Sequence, residues 1–146
     1  MALAQQASVL LTITLQDTQS GAERVITLSE QDLRALPAQH YTTSTIWTDG
    51  EQKFTGVPLM ALLAHFEIEA TSLRMQAVND YSITLPVDGI TPDAPIIAYE
   101  RNEKPMKLRD NGPLWLVYDY DGNAAYRSEV IYSRSIWQLD RMIAIH

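Results

Sequence analysis

Short β-prone runs, separated by turn signals, are the feature that most restricts the fold of this 146-residue chain. The runs are rich in β-branched, aromatic and aliphatic residues, and dipeptides such as Asn79-Asp80 and Asp121-Gly122 stand between them. Runs of this length are typical of strands in a sheet rather than of long helices. The predicted strands cover residues 9–15, 25–28, 40–48, 73–78, 81–87, 94–100, 113–120, 125–133 and 135–145.

Two segments carry helix signals instead. Ser29 is a good N-cap for a helix over residues 30–36, which Pro37 ends, and acidic residues occupy its first turn. The second predicted helix covers residues 58–66, where leucines at helical spacing form one apolar face. Many strands with two short helices predict an α+β fold, with residues 1–146 forming a β-rich single domain of mixed or antiparallel sheets.

The charge of the chain is unevenly distributed. Residues 1–100 carry 4 Lys or Arg against 12 Asp or Glu, and residues 101–146 carry 7 against 6, which together give the 11 and 18 of the whole chain and its net charge of −7. Because phosphate backbones require a basic face, we expect no nucleic-acid partner. No apolar run reaches about 18 residues, so we expect no membrane insertion. If the chain has an anion site, the Arg-rich last third is where it is expected.

Self-contained catalytic and metal motifs are absent from the sequence. The chain has no cysteine, which excludes disulfides, thiolate catalysis and cysteine metal sites. His40, His65 and His146 show no metal-ligand spacing, so no metal site is predicted. The stretch "DYDGN", residues 119–123, lies between β-prone runs and therefore predicts a hairpin turn rather than a calcium loop.

Arginines and aromatic residues are interspersed near the end of the chain. They are Arg109, Arg127, Arg134 and Arg141 with Trp115, Tyr118, Tyr126, Tyr132 and Trp137. Guanidinium groups bind phosphate in a bidentate manner, and aromatic faces stack on planar rings, so this set suits a phosphate-bearing heterocycle. The alternative is that the aromatic residues belong to the core and the arginines form surface ion pairs.

Several segments between residues 40 and 146 resemble one known family. They read "FTGVPLMALLAHF", "NDYSITLPV", "PIIAYERNEKPM", "RDNGPLWLVY" and "SIWQLDRMIAI". In this order they are similar to the oxidoreductase molybdopterin-binding domain, which has the sulfite oxidase type fold. The resemblance is greatest to small stand-alone bacterial members of that group, which are typically exported. It implies this fold, and it makes molybdopterin the cofactor to consider.

The resemblance also implies a difference in chemistry. Catalytic members bind molybdenum through a cysteine upstream of the "GVPL" segment, where this chain reads "HYTTSTIWTDG". A neutral hydroxyl is a poor substitute for a soft thiolate ligand. In addition, Leu114 and Trp115 stand where many catalytic members have an arginine. We therefore expect no bound cofactor, and a non-catalytic module that binds a small anionic or heterocyclic, pterin-like ligand or a partner protein.

The candidate cleft follows from the same resemblance. Its asparagine and aspartate side chains would bind ring N–H and C=O groups, and its arginines would hold a phosphate. A turn or a surface ion pair is the alternative role for each residue. The candidate ligand-binding residues are Thr43, Thr45, Trp47, Asn79, Asp80, Tyr81, Arg109, Asn111, Arg127 and Arg134.

Two other functions remain open. One is a molybdopterin-dependent oxidoreductase in which the pterin dithiolene alone holds the metal, so that the cofactor supplies the chemistry. The other is a sensory or interaction module that works with a signalling or redox partner protein.

The first residues contain one feature of a signal peptide, a cleavage-site pattern. Ala2-Leu3-Ala4 has the small-x-small form of a signal-peptide cleavage site. Together with the resemblance to exported bacterial proteins, it predicts a periplasmic or secreted protein. Residues 1–7 are then the flexible remnant of the signal peptide; the alternative is an ordinary flexible terminus.

Overall fold

The strands of the protein form two five-stranded sheets in a computed structural model that describes residues 8–16 and 20–146. The predicted signal remnant, residues 1–7, lies outside the described residues. In chain order the strands are β1 (Val9–Gln16), β2 (Glu23–Ser29), β3 (Gln39–Ser44), β4 (Glu51–Pro58), β5 (Ser72–Ala77), β6 (Ser82–Pro86), β7 (Ile96–Arg101), β8 (Lys104–Pro105), β9 (Trp115–Val117) and β10 (Leu139–Ile145).

The first sheet has the order β2-β1-β10-β5-β6. Its central pair, β1 and β10, is parallel, with Ile13 opposite Met142, and its other pairs are antiparallel. Burial alternates along β1, where Leu11 and Ile13 are buried and Thr12 is half-buried, as the two-residue period of a strand requires. The prediction of a mixed sheet is therefore confirmed.

The second sheet has the order β3-β4-β7-β8 and is antiparallel throughout. Strand β9 also pairs with β7, where Ala98 lies opposite Trp115. A β-bulge interrupts the β4–β7 pairing between Thr55 and Gly56. At this point the backbone of β7 approaches Gly56 so closely that a Cβ atom would collide with the carbonyl of Ile97.

Three short α-helices and three 3-10 turns complete the fold. The helices are α1 (Glu30–Arg34), α2 (Leu59–His65) and α3 (Glu129–Arg134), and the 3-10 turns are Val87–Gly89, Leu108–Asp110 and Ala124–Tyr126. Ser29 is the N-cap of α1, as the sequence predicted, and the structure adds a reciprocal capping box with Asp32. None of the helices in the described ranges is long and apolar enough to cross a membrane.

Two clusters of buried side chains hold the sheets and helices together. The larger is aliphatic and joins both sheets to the first two helices through residues such as Leu11, Leu33, Leu62 and Leu116. The smaller is aromatic and lies along the second sheet; it contains Tyr41, Phe54, Trp115, Tyr118 and Tyr120. The α+β, β-rich architecture predicted from the sequence is confirmed.

The segment after β9 differs from its prediction. Residues 125–133 form no strand, and the expected hairpin at Asp121-Gly122 is wrong. The side chain of Asn123 accepts a hydrogen bond from the N–H of Ala125, and that of Ser128 accepts one from Ile131. These local caps start a 3-10 turn and α3, and they outweigh the β propensity of the neighbouring residues.

We expect Gly56→Ala to destabilise the protein by about 2–3 kcal/mol, because β7 has no room for the added methyl group. The matched control is Gly89→Ala, where the nearest atom to the new Cβ is 3.5 Å away and belongs to the Arg134 side chain. Urea unfolding of both variants measures the difference. Equal free energies of unfolding would contradict the close approach of β7 to Gly56.

Candidate functional site

A pocket of about 410 Å³ with aromatic walls is the candidate site. Three segments meet there: the loop after β3, the turn between β5 and β6, and the end of α3 with the residues that precede β10. Its lining comprises Trp47, Ala77, Asn79, Tyr81, Tyr132, Ser133, Ser135, Ile136, Trp137 and Gln138.

Trp47 is the centre of the aromatic wall. Its ring centroid lies 5.5 Å from that of Trp137 and 5.7 Å from that of Tyr132, with the rings edge to face. The backbone N–H of Trp47 donates to Thr45 Oγ1 over 3.0 Å, and this hydroxyl also bonds to Thr48 Oγ1 at 2.9 Å. Local hydrogen bonds and ring packing therefore hold Trp47 in one orientation.

Two amides stand out in the polar part of the lining, because the hydroxyls of Ser133 and Ser135 already bond to protein groups. Asn79 Oδ1 accepts a hydrogen bond from the N–H of Tyr81 over 3.2 Å. Gln138 has a positive φ of 54°, and its Nε2 donates to the carbonyl of Leu108 over 2.8 Å. These bonds leave Asn79 Nδ2 and Gln138 Oε1 without a hydrogen-bond partner in the described chain. The two amides therefore offer one donor group and one acceptor to the pocket, and none of its described lining residues carries a formal charge.

Three of the ten predicted site residues line this pocket together: Trp47, Asn79 and Tyr81. Two others lie next to it with their polar groups engaged. The carboxylate of Asp80 bonds to the Arg141 guanidinium at 2.7 Å. The carbonyl of Asn111 accepts from the N–H of Gln138 at 3.0 Å and so supports the pocket from behind.

The predicted hydroxyls serve the fold. Thr43 is fully buried, and its Oγ1 accepts from the N–H of Asp121 over 2.9 Å while donating to the carbonyl of Ser44 over 3.3 Å. Thr45 orients Trp47, as described above. Thr43 and Thr45 are therefore not part of the pocket lining, although Thr45 bonds to the lining residue Trp47.

The three predicted arginines are spread around the pocket, and none of them lines it. Arg127 donates to the carbonyl of Tyr120 at 2.7 Å. Arg109 is exposed on the 108–110 turn, with no side-chain hydrogen bond or ion pair within the described ranges. Arg134 lies beside Tyr118, whose hydroxyl is buried without a hydrogen-bond partner. Burial raises the pKa of Tyr118 to about 12, and the positive charge of Arg134 opposes that rise.

Asp121 stabilises this region, a role that its predicted position in a hairpin turn did not indicate. Its carboxylate accepts from the N–H of Ser44 at 2.6 Å and from the hydroxyl of Ser44 at 2.7 Å. These bonds lower the pKa of Asp121, and the nearby charge of Arg127 contributes in the same direction. Asp121 thereby ties the end of β3 to the loop after β9.

Seven lining residues were not among the predicted site residues: Ala77, Tyr132, Ser133, Ser135, Ile136, Trp137 and Gln138. The sequence signal for two of them was the aromatic enrichment of the last third. The strand predicted over residues 125–133 would have placed Tyr132 and Ser133 on opposite faces of a sheet. Helix α3 instead brings both residues to the pocket.

The donor set of the site matches a molybdenum cofactor only in part. Aromatic walls and amides suit the ring system of a pterin. A metal would find no thiolate, because the chain has no cysteine, and the hydroxyls of Thr43, Ser44 and Thr45 are engaged in the hydrogen bonds given above. The described residues form no group of three or more His, Asp or Glu able to hold a metal. A terminal phosphate would find no cation in the lining. The residues present therefore fit a planar ring but not the metal or phosphate of that cofactor.

Comparison with known proteins identifies relatives of the chain. The family model described as oxidoreductase molybdopterin binding domain matches residues 8–127, so the lining segment 132–138 lies outside the match. Among solved structures, the chain is similar to the crystal structure of the sulfane dehydrogenase SoxCD from Paracoccus pantotrophus. The TM-score is 0.63 at 15% sequence identity, over 97% of this chain and 40% of that chain. The likeness shows the fold. This chain spans well under half the length of that protein. No curated protein matches.

We expect Asp121→Asn to destabilise the protein at pH 7, because the amide keeps at most one of the two acceptor oxygens that Ser44 uses. The pKa of Asp121 is lower in the folded than in the unfolded state, so its contribution is fully present above the unfolded pKa of about 3.9 and is lost as the pH falls through the lower folded value. Urea unfolding of wild type and variant from pH 7 to pH 3 measures this. A difference that stays constant across that range would show that the charge of Asp121 has no such role.

Proposed function

The chain belongs to the oxidoreductase molybdopterin binding domain family, and from this premise we propose that it is a non-catalytic module that binds an uncharged planar heterocycle. The ligand occupies the aromatic pocket between the loop after β3 and the segment before β10. The observation that carries the proposal is the composition of the pocket lining, which has four aromatic rings and two amides without a charged group.

The size and walls of the pocket suit such a ligand. Its volume of about 410 Å³ lies at the lower end of the range of about 300–1,000 Å³ that is typical of small-molecule sites. Trp47 and Trp137 form a rigid corner, since their rings meet at 76° with centroids 5.5 Å apart. A planar ring inserted there gains stacking and edge contacts without first ordering these side chains.

The amides provide selectivity. Asn79 Nδ2 can donate to a ring carbonyl or ring nitrogen, and Gln138 Oε1 can accept from a ring N–H. A phosphate in the same pocket would lose its hydration without meeting a cation, which carries a large free-energy penalty. The pocket therefore selects the heterocycle and rejects its phosphorylated form.

A second candidate function rests on the family match itself. In this alternative the chain is a molybdopterin-dependent oxidoreductase whose metal is held without a protein cysteine. The phosphate of the cofactor would then require a cation, and Arg109 is the nearest candidate by connectivity, because the adjacent Leu108 carbonyl bonds to Gln138 in the pocket. A periplasmic or secreted location is part of both proposals.

The test is a fluorescence titration with 6-hydroxymethylpterin and with its phosphate ester, using the two pocket tryptophans as reporters. We expect the uncharged pterin to bind at least about tenfold more tightly than the ester. Asn79→Ala with Tyr81→Ala should weaken binding of the pterin by about tenfold or more, since both side chains contact the pocket and both are exposed, so the fold survives.

Arg109→Ala is the matched control, because its exposed side chain lies outside the lining. Under our proposal it leaves pterin affinity unchanged. If the ester binds more tightly than the pterin and Arg109→Ala abolishes that binding, the alternative function replaces ours. Molybdenum and pterin contents near one per chain, in protein from a molybdenum-replete host, would have the same consequence.

A further inference from the structure

The basic residues of the β7–β8 region form the one dense cationic segment of the sequence. Four of the chain's 11 Lys and Arg residues fall within residues 101–109, which contain a single acid, Glu103. We define the hairpin patch as Arg101, Lys104, Lys107 and Arg109. The rest of the chain is strongly acidic, so the patch stands out against a net charge of −7.

The cations of the hairpin patch have no counterions among the described residues. Arg34 pairs with Glu100 at 2.6 Å and Arg141 pairs with Asp80 at 2.7 Å, whereas the other unpaired arginines, Arg24, Arg74, Arg127 and Arg134, are not clustered in the sequence as the patch is. Glu103 is also taken, because its carboxylate bonds to Lys53 at 2.9 Å. Within residues 8–16 and 20–146, no member of the hairpin patch forms an ion pair.

The hairpin places two of these charges directly opposite each other. Arg101 and Lys104 are cross-strand partners on either side of the turn at Asn102-Glu103. Like charges in this position destabilise a strand pair. The turn needs a positive φ at both central residues, and it has Glu103 at φ 67°, where glycine is the usual choice. The hairpin thus departs twice from what local stability favours.

The turn is nevertheless held firmly. The N–H of Asn102 donates to the carbonyl of Lys53 at 2.7 Å, and Asn102 Oδ1 accepts from the N–H of Lys53 at 2.9 Å. Two further bonds, from Asn102 to Gln52 and from Lys53 to Glu103, fix the side chains of the turn. The like charges are therefore presented on a rigid hairpin rather than on a mobile loop.

A concave surface of about 360 Å³ lies beside these charges. Its lining is Arg101, Asn102, Lys104, Pro105, Met106, Lys107 and Asp110. It therefore combines three cations with the ring of Pro105 and a single carboxylate, that of Asp110.

We propose that this surface docks an acidic segment of a partner protein, with glutamate or aspartate side chains between Arg101, Lys104 and Lys107. Carboxylates at this place would neutralise cations that form no ion pair in the described ranges. They would also reduce the repulsion between Arg101 and Lys104. The inference is independent of the heterocycle proposed for the aromatic pocket, which shares no lining residue with this surface.

Two observations favour a peptide over other anions. Asp110 lies in the lining, where a phosphate offers it only repelling oxygens, whereas a peptide also offers backbone N–H donors. A nucleic acid extends beyond the patch and would meet the acidic remainder of the surface, while a short segment interacts within a Debye length of about 10 Å.

Edge protection explains only part of the patch. Lys and Pro on an edge strand prevent unwanted pairing with another sheet, and Lys104–Pro105 is the outermost strand of its sheet. Arg101 lies on the inner strand β7 and Lys107 lies after β8, so edge protection does not account for either. The partner consequently binds through side chains and not by adding a strand.

The test uses fluorescein-labelled hexaglutamate as the probe and fluorescence anisotropy as the readout. We expect saturable binding to the full chain that weakens as salt increases. Arg101→Gln with Lys104→Gln should reduce the affinity by about tenfold or more. Thermal stability of this variant should equal or exceed that of wild type, because the change removes a repulsive pair.

The matched control is Arg24→Gln with Arg74→Gln, which removes the same two positive charges from exposed positions in the first sheet. We expect the control variant to bind within about twofold of wild type, since its charges are distant from the patch. An equal loss in both variants, or no saturable binding to wild type, would overturn the proposal.

Two further measurements separate other occupants. If inorganic phosphate displaces the probe where acetate at equal ionic strength does not, the surface is a phosphate site and the peptide proposal fails. If light scattering shows a wild-type dimer that Arg101→Gln with Lys104→Gln dissociates, the occupant is a second copy of this chain, which also overturns the proposal.

Discussion

The packing of the Trp115 indole is the interaction on which the rest of the structure depends. This side chain is fully buried in β9, and its ring contacts Phe54 of β4 with centroids 5.3 Å apart. Its indole N–H donates to the carbonyl of Ser135 at 3.2 Å, and its backbone forms a bridge to Trp137. One residue of the second sheet thus fixes the segment that leads into β10, the central strand of the first sheet. Because Trp137 is held there, the wall of the aromatic pocket is part of the core and is formed before any ligand binds.

The hydroxyls of the loop after β3 take part in its hydrogen bonding. The Thr43 hydroxyl accepts from the backbone N–H of Asp121, and Ser44 donates to the Asp121 carboxylate. The Thr45 hydroxyl accepts from the N–H of Trp47 and so orients it. These three hydroxyls therefore stabilise the loop, and a neutral hydroxyl is in any case a poor ligand for a soft metal. The same bonds direct Trp47 into the pocket. In this chain the segment places an aromatic ring in the pocket lining.

The sequence predicted the parts of the fold whose signals are local. Strand β1 and the N-cap at Ser29 follow from β propensity and side-chain chemistry, which are both visible in the sequence. Helix α3 was missed, because its β-branched residues suggested a strand while the decisive caps at Asn123 and Ser128 are single side chains. Trp47, Asn79 and Tyr81 could be placed at the pocket from the family resemblance. Gln138 could not, since its role depends on a long-range bond to Leu108.

The positions of the arginines explain why charge alone was a poor guide to the site. An arginine close in sequence to aromatic residues was expected to hold a phosphate in the pocket, yet Arg127 and Arg134 contact Tyr120 and Tyr118 beside it. The Arg127 guanidinium donates to the Tyr120 carbonyl, and the Arg134 guanidinium lies beside the buried hydroxyl of Tyr118. The hairpin patch differs in density, because four cations fall within residues 101–109 and none of them has a side-chain ion pair in the described ranges. The aromatic pocket has no charged lining residue, whereas the surface beside the β7–β8 hairpin has three cations, so the two sites suit ligands of different chemistry.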